Sequence, residues 1–225
     1  MNIKSSDFFT ISNRETWEKF CALVNGGNTK LAAKMTKDIT EAVNTMAGTS
    51  TRPYQGTFDG QGHTLNVNLS GGQNVAPFPV ASNATIENLR VTGTIAASGK
   101  YAAGIVGNVV VGQPTTISDC ESNVTINSTV SGDGTHGGIV GATSNNGYVV
   151  ISNCAFTGVM SGAETNNCGG FIGWAGTGAA KSSISNSLVA GAFNTGTEGA
   201  ATFTRNPRQV DITNCYYLNA YGTAQ

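Results

Sequence analysis

The chain has 225 residues and a net charge of −1, with only 11% Asp, Glu, Lys and Arg and as many as 30 glycines. That charge balance gives no electrostatic basis for binding nucleic acid or anionic lipid. No uninterrupted apolar run approaches the roughly 20 residues that span a bilayer, and the regular recurrence of short apolar runs excludes a disordered chain.

From the N-terminus, Met1-Asn2-Ile3-Lys4 lacks the basic and apolar regions of a secretory leader. A Ser/Thr/Asn/Gly-rich chain with so few charges nevertheless suits an extracellular setting, so a leader is expected to have been removed. The charges sit unevenly. Residues 1–54 carry seven Lys/Arg and five Asp/Glu, whereas residues 55–225 carry five and eight. Ser12-Asn13-Arg14-Glu15 has capping-box spacing. Trp17, Phe20, Cys21 and Val24 follow at i, i+3, i+4, i+7, one face of a helix. Gly26-Gly27 supplies its stop. The pattern predicts a helix over about 14–25 whose aromatic stripe covers core and holds no ligand.

Beyond residue 55 the chain repeats itself. Ile86, Ile117, Ile151, Ile184 and Ile212 recur at spacings of 31, 34, 33 and 28. In phase with them run Gly104-Ile105-Val106-Gly107, Gly138-Ile139-Val140-Gly141 and Gly170-Phe171-Ile172-Gly173, at spacings of 34 and 32. The intervening runs, such as Leu89–Ile95 and Val124–Val130, are β-branched, lack a helical period and end at Gly, Asn or Ser turns. One such repeat cannot bury its own apolar face, but a stack of coils about 4.8 Å apart can. A propeller blade needs about 40–45 residues. The expected fold is therefore all-β: a right-handed parallel β-helix (β-solenoid) with a short N-terminal α-helical cap. The handedness follows the preference of parallel crossovers. Residues 1–55 form the cap with the first strands, and residues 56–225 form the β-helix, packed with the cap as one unit.

Two columns in the repeat carry structural chemistry. Asn88, Asp119, Asn153, Asn186 and Asn214 share one position, and Asn tolerates the left-handed backbone of a coil corner. Asp119 should interrupt a ladder of stacked amides there. Cys120, Cys154 and Cys215 share a position with Leu89 and Ser187, which points to buried free thiols; Cys21 and Cys168 lie outside it. With no C-x-x-C spacing, thiolate zinc is not expected, and no metal or cofactor is.

Several of these segments look familiar. Phe9, Ile11, the Trp17–Val24 helix, Asp38-Ile39 and Tyr54-Gln55-Gly56-Thr57-Phe58-Asp59-Gly60-Gln61-Gly62-His63-Thr64-Leu65 resemble the opening of the GLUG-motif proteins. The Gly-Ile-Val-Gly segments resemble the motif itself, and the resemblance covers nearly the whole chain. It departs at Ala76-Pro77-Phe78-Pro79 and at Ala200-Ala201-Thr202-Phe203-Thr204, where irregular coils are expected. The resemblance implies a bacterial secreted or cell-surface protein, often with further domains. It implies no activity: some relatives are attached to peptidases, but no peptidase motif occurs here.

Candidates for catalysis are few. Asp59 and His63 flank a Gly-rich turn and could bind metal or act as an acid–base pair, although the turn alone explains them. Asp133-Gly134-Thr135-His136 is a similar turn. Asp119 and Glu121, two residues apart, would share a face on a strand and form the best carboxylate pair for polysaccharide chemistry. The coils on either side do not extend that pair, offering Asn88 and Arg90, then Asn153 and Ala155. Thr92-Gly93-Thr94 has the spacing of an ice-binding array, but the next coils offer Asn123 with Thr125, then Thr157 with Val159, so the paired ladder fails. Tyr101, Tyr148 and Trp174 lie at turns or strand ends and are the aromatics best placed to meet a sugar or a protein partner. The leading expectation is a non-catalytic, adhesin-like or spacer module that binds glycan or a host or cell-surface protein. The alternative is a polysaccharide lyase or hydrolase on a β-helix scaffold. Tyr216, Tyr217, Leu218 and Tyr221 near the C-terminus suit an exposed last coil poorly. Two explanations compete: the aromatics fold over the core as a makeshift lid, or the end is uncovered and the chain continues into a further domain; the second is the leading expectation.

Overall fold

A computed structural model describes residues 8–225. Met1-Asn2-Ile3-Lys4 and the start of the cap region lie outside the described residues. The chain forms a parallel β-solenoid with three faces, each a sheet that takes one strand per coil. The first face has eight strands, from Phe9–Ile11 and Ala33–Met35 through Thr57–Asp59 to Val210–Thr213. The long face starts at Ile39–Val43 and continues through Thr64–Gly71, Arg90–Ala97 and Glu121–Ser128 to Tyr216–Tyr217. A four-stranded face joins Phe78–Ala81, Val106–Val109, Val140–Thr143 and Ile172–Ala175. Strands that precede residue 56 thus belong to the same sheets as the repeats. Among the described residues no helix is long and apolar enough to cross a membrane.

The isoleucines form the column their spacing predicts. Phe58, Ile86, Ile117, Ile151, Ile184 and Ile212 pair coil to coil in register. All are fully buried except Ile212, half-buried on the last coil. Each such side chain contributes about 1.5–3 kcal/mol by leaving water. Next to this column the corner residues Asn88, Asp119, Asn153, Asn186 and Asn214 hold φ of 49–54°. That is the left-handed region in which Asn and Asp are the least strained non-glycine residues.

The amide ladder forms, but in pairs. Asn88 Nδ2 donates to Asp59 Oδ1 at 3.0 Å, Asn153 Nδ2 to Asp119 Oδ1 at 3.1 Å, and Asn214 Nδ2 to Asn186 Oδ1 at 3.5 Å. Asp119 breaks the chain of bonds on one side only. Its carboxylate accepts from Asn153 but has no proton to offer Asn88.

The Gly-Ile-Val-Gly segments also stay in phase: Val106 pairs with Val140, and Val140 with Ile172. Their glycines answer to crowding. A Cβ on Gly141 would lie 2.3 Å from the Tyr101 carbonyl oxygen, and one on Gly138 2.5 Å from the Phe156 ring. Phe78 pairs with Val106 in a regular strand, Phe78–Ala81, so the irregularity expected there is absent. Phenylalanine fills the same inward slot as valine, and Pro79 does not interrupt the pairing. At the other departure the expectation stands, because Ala201 and Thr204 make only isolated bridges to Gly169 and Ile172.

The helix spans Arg14–Asn25 and buries Trp17, Phe20, Cys21 and Val24. Its capping box uses Asn13 and Thr16 and not Ser12 and Glu15: Asn13 Oδ1 accepts from the Thr16 amide, and Thr16 Oγ1 accepts from the Asn13 amide. The five cysteines are free thiols. Burial pushes Cys21 up to about 12 and Cys168 up to about 11. In the cysteine column each polar group donates to the carbonyl two residues before it, from Cys120 to Ser118, Cys154 to Ser152, Ser187 to Ser185 and Cys215 to Thr213.

Candidate functional site

Neither carboxylate pairing expected from the sequence becomes a catalytic one. Asp59 Oδ1 caps its own turn through the Gln61 amide at 2.9 Å. Burial opposes its ionisation. Hydrogen bonds from Asn88 and Gln61, with the nearby Lys34 charge, outweigh that and hold the carboxyl below its ordinary range. His63 turns away to Asp38, with Nδ1 3.3 Å from Oδ1, because the coil stacks the Thr64 strand directly on the segment that begins at Asp38. The Thr64 amide also donates to Asp38 and, ahead of His63, lowers that carboxyl's pKa. Asp38 is a partner that local spacing could not reveal.

Asp119 and Glu121 do not lie on one strand. Asp119 is the left-handed corner between Thr115–Ser118 and Glu121–Ser128. Both line one shallow groove, yet each already has protein partners. Asp119 accepts from Asn153, and Glu121 accepts from Thr157 Oγ1 at 2.6 Å and lies 3.4 Å from Arg90. A general acid needs a carboxyl free to exchange its proton with the substrate. Among the described residues no group of three or more His, Cys, Asp or Glu has the geometry to hold a metal ion. On the long face Thr92 and Thr94 align with Asn123 and Thr125, and Thr125 with Val159, so the threonine pair does not repeat.

The aromatic candidates fare differently. Tyr101 and Trp174, 73 positions apart in sequence, line one groove of about 380 Å³ on the four-stranded face. The rest of its wall is uncharged and rich in amide and hydroxyl groups, including Asn108, Thr143, Ser144 and Asn145. Trp174 follows from strand register: Asn108, Ala142 and Trp174 are paired outward positions on successive coils. Small Ala142 leaves room beside the large ring. Tyr101 arrives from a turn at φ 71°, with its amide donating to Gly134. Tyr148 lies outside the groove, half-buried before the strand Val149–Ser152.

An ion cluster adjoins Trp174. The Arg205 guanidinium lies 5.3 Å from the Trp174 ring centroid. It also reaches back two coils to Asp133 Oδ1 at 3.3 Å and to Thr135 Oγ1 at 3.0 Å. Lys100 Nζ holds the other Asp133 oxygen at 2.7 Å. Burial works against the Asp133 charge, but the Lys100 and Thr135 hydrogen bonds and the Arg205 charge prevail and lower its pKa. Beside it His136 is fully buried. The Ala102 amide donates to Nδ1 at 3.1 Å, so the proton of the neutral ring sits on Nε2 and points to Ser128 Oγ at 2.8 Å. Burial depresses the imidazole to about 4 against the pull of Asp133. The Asp133–His136 turn is a packed support for the groove: the buried ring donates to Ser128 Oγ, which also accepts from the Val130 amide, so the imidazole holds that hydroxyl in place and does not take its proton.

No family model matches the sequence, and no curated protein matches it. Among solved structures, a "putative immunoglobulin A1 protease" from Bacteroides ovatus is similar, with a TM-score of 0.61 at 18% identity. The match covers 95% of this chain and 76% of that one. At that identity the likeness bears on the fold, a β-solenoid with a short helix at its start, and carries no activity across.

Proposed function

We propose that the chain is a non-catalytic, adhesin-like binding module of a bacterial secreted or cell-surface protein, and that it holds a glycan between Tyr101 and Trp174. The observation that carries this reading is the convergence of the two aromatics in an uncharged groove walled by amides and hydroxyls. Flat rings match the apolar faces of sugars, while Asn and Ser groups match their hydroxyls. Arg205 occupies one side of Trp174 and fixes the ring before a ligand arrives, which lowers the entropic cost of binding. The resemblance of the Gly-Thr-Phe-Asp-Gly-Gln-Gly-His and Gly-Ile-Val-Gly segments to GLUG-motif proteins supports the bacterial surface setting. The polysaccharide-enzyme alternative is weaker, because Glu121 is held on both oxygens by Thr157 and Arg90, which leaves Asp119, bonded to Asn153 through one oxygen, without a second free acid beside it.

A glycan array probed with the parent protein and with Trp174→Ala tests the proposal. Binding to at least one glycan, reduced tenfold or more by the substitution and with no product formed, is the expected result. Equal binding by both proteins would overturn the site, and release of shortened glycan would overturn the non-catalytic reading.

A further inference from the structure

The Asn corner lies far from Trp174 along each coil and has a geometry of its own. Two adjoining depressions, of about 560 and 710 Å³, share Asn186 and Leu188 and merge into one open groove. It extends from Asn88 to Tyr216. Its floor is a single corner position repeated on successive coils, so the groove runs parallel to the solenoid axis. One wall is equally regular: Arg90, Glu121, Ala155, Leu188 and Tyr216 are paired in register, one per coil.

Three properties of this groove specify an occupant. The floor offers an amide or carboxylate at every step of about 4.8 Å. Because the ladder bonds form only in pairs, some of that hydrogen-bonding capacity is unspent. Among the described residues Asn186 Nδ2 and Asp119 Oδ2 have no protein partner, and both residues are exposed. The charges nearly cancel, since Arg90 lies against Glu121 and only Asp119 remains, so the groove does not attract a polyanion. The wall turns apolar toward the C-terminal end, through Ala155 and Leu188 to Tyr216, a residue 69% exposed.

We propose that this corner is a track for an extended, neutral polysaccharide lying along the solenoid axis, with about one sugar unit per coil. A pyranose in an extended 1,4-linked chain advances by close to one coil spacing, so each unit meets one corner side chain, with alternate units presenting opposite edges to it. Its hydroxyls hydrogen-bond the floor, and its apolar faces rest on Leu188 and Tyr216. An extended peptide fits less well. Its two-residue repeat, about 6.7 Å, falls out of step with the coils. Lying across the strands, it also could not add to either sheet by backbone pairing.

Calorimetry with linear neutral 1,4-linked oligosaccharides tests the track. The probes are glucose, mannose and N-acetylglucosamine series of two to eight units. The proteins are the parent, the double variant Asn153→Gly/Asn186→Gly, Tyr216→Ala and Trp174→Ala. Glycine accepts the left-handed corner without strain, so the double variant removes amides and leaves the backbone path intact. In at least one series, affinity should rise with each unit up to about five, one per corner residue, and then level off. The double variant should weaken the five-unit ligand at least tenfold. Tyr216→Ala, whose side chain is mostly outside the core, should weaken it at least threefold even if the double variant does not fold. Trp174→Ala should leave the length dependence unchanged. Binding by no series, affinity that levels off at one or two units, or loss with Trp174→Ala in place of the corner variants would each overturn the track. The Trp174→Ala arm separates the two proposals: binding that survives it and is lost in the corner variants belongs to the track, and binding lost with it belongs to the Tyr101–Trp174 groove.

Discussion

The two ends of the solenoid are covered by different physics and to different extents. At the N-terminal end a helix lays Trp17 and Phe20 over the first coils. Trp17 meets Phe58 and Phe78 edge-on at 5.9 and 6.0 Å, and Phe20 meets Tyr54 at 5.7 Å. The indole N–H donates to the Thr45 carbonyl at 3.0 Å, so even the polar atom of the cap is satisfied. At the C-terminal end Tyr221 is 2% exposed and stacks on Phe193 at 4.0 Å and 6°. Gln225 accepts from the Phe203 and Thr204 amides and donates to the Thr204 carbonyl. The expectation of an uncovered end thus needs correction in part: one face is sealed. Tyr216 and Leu218, each 69% exposed, stay open with the last strands of the other two faces. Covering apolar core takes a large amphipathic element. Covering a strand edge takes only a few donors and acceptors in the right places.

A charge placed midway between the ends sets the upper scale for this comparison. Ile151 is fully buried with isoleucines on both neighbouring coils. Ile151→Asp should cost about 5 kcal/mol, since an isolated carboxylate has no partner there. Urea unfolding measures it, and a variant that melts within a degree or two of the parent would mean the column is misplaced.

The next effects set one end against the other. Trp17→Ala should cost about 3–5 kcal/mol, from lost burial plus the cavity left among the rings. Tyr221→Ala should cost about 3 kcal/mol, from lost burial, one stacked pair and the hydroxyl contact with Thr195, less than Trp17 because it meets one ring and not three. Equal losses at the two ends in urea unfolding would remove the distinction between a core cap and an edge seal.

A pH scan examines the buried support between them. His136 is neutral in the folded chain at about 4 and near 6.5 when unfolded. Between those values the unfolded chain binds the extra proton, so stability is full above pH 6.5 and falls as the pH drops toward 4. The loss should approach about 3 kcal/mol by pH 4. The carboxylates with lowered values, Asp38, Asp59 and Asp133, contribute stability that is lost only below about pH 4, outside this window. His136→Gln should flatten the slope between pH 6.5 and 4.5, and an unchanged slope would exclude His136 as its source.

What the sequence disclosed and what it concealed divide along the same line. The Ile column, the left-handed Asn corner and the Gly-Ile-Val-Gly phase recur every coil, so periodicity alone places them. The helix stripe was readable for the same reason at a shorter period. Arrangements made once are invisible to that reading: His63 with Asp38, Arg205 reaching back to Asp133, and the groove that Tyr101 and Trp174 share. The last required knowing that 101 ends a turn abutting Gly141 while 174 is an outward position two coils above Asn108. Asp119 and Glu121 misled in the opposite direction, because spacing by two suggests one strand face until the corner at Asp119 is recognised.

The smallest expected effect is the most local. Gln225 makes three side-chain bonds to Phe203 and Thr204, and Thr223 pairs with Ala201. Because these bonds seal one edge and bury little apolar surface, Gln225→Ala should leave global stability within about 1 kcal/mol of the parent. Local opening should change more. Hydrogen exchange at the Phe203 and Thr204 amides should be slow in the parent and at least tenfold faster in the variant. The amides of residues 212, 214 and 215, on the unsealed edge, should exchange quickly in both proteins. Slow exchange across residues 210–218 in the parent would show that the other faces are sealed as well, and the contrast between the ends would then reduce to the choice of side chains. Fast exchange at Phe203 in the parent would show that the Gln225 bonds do not persist in solution, and Tyr221 alone would close that end.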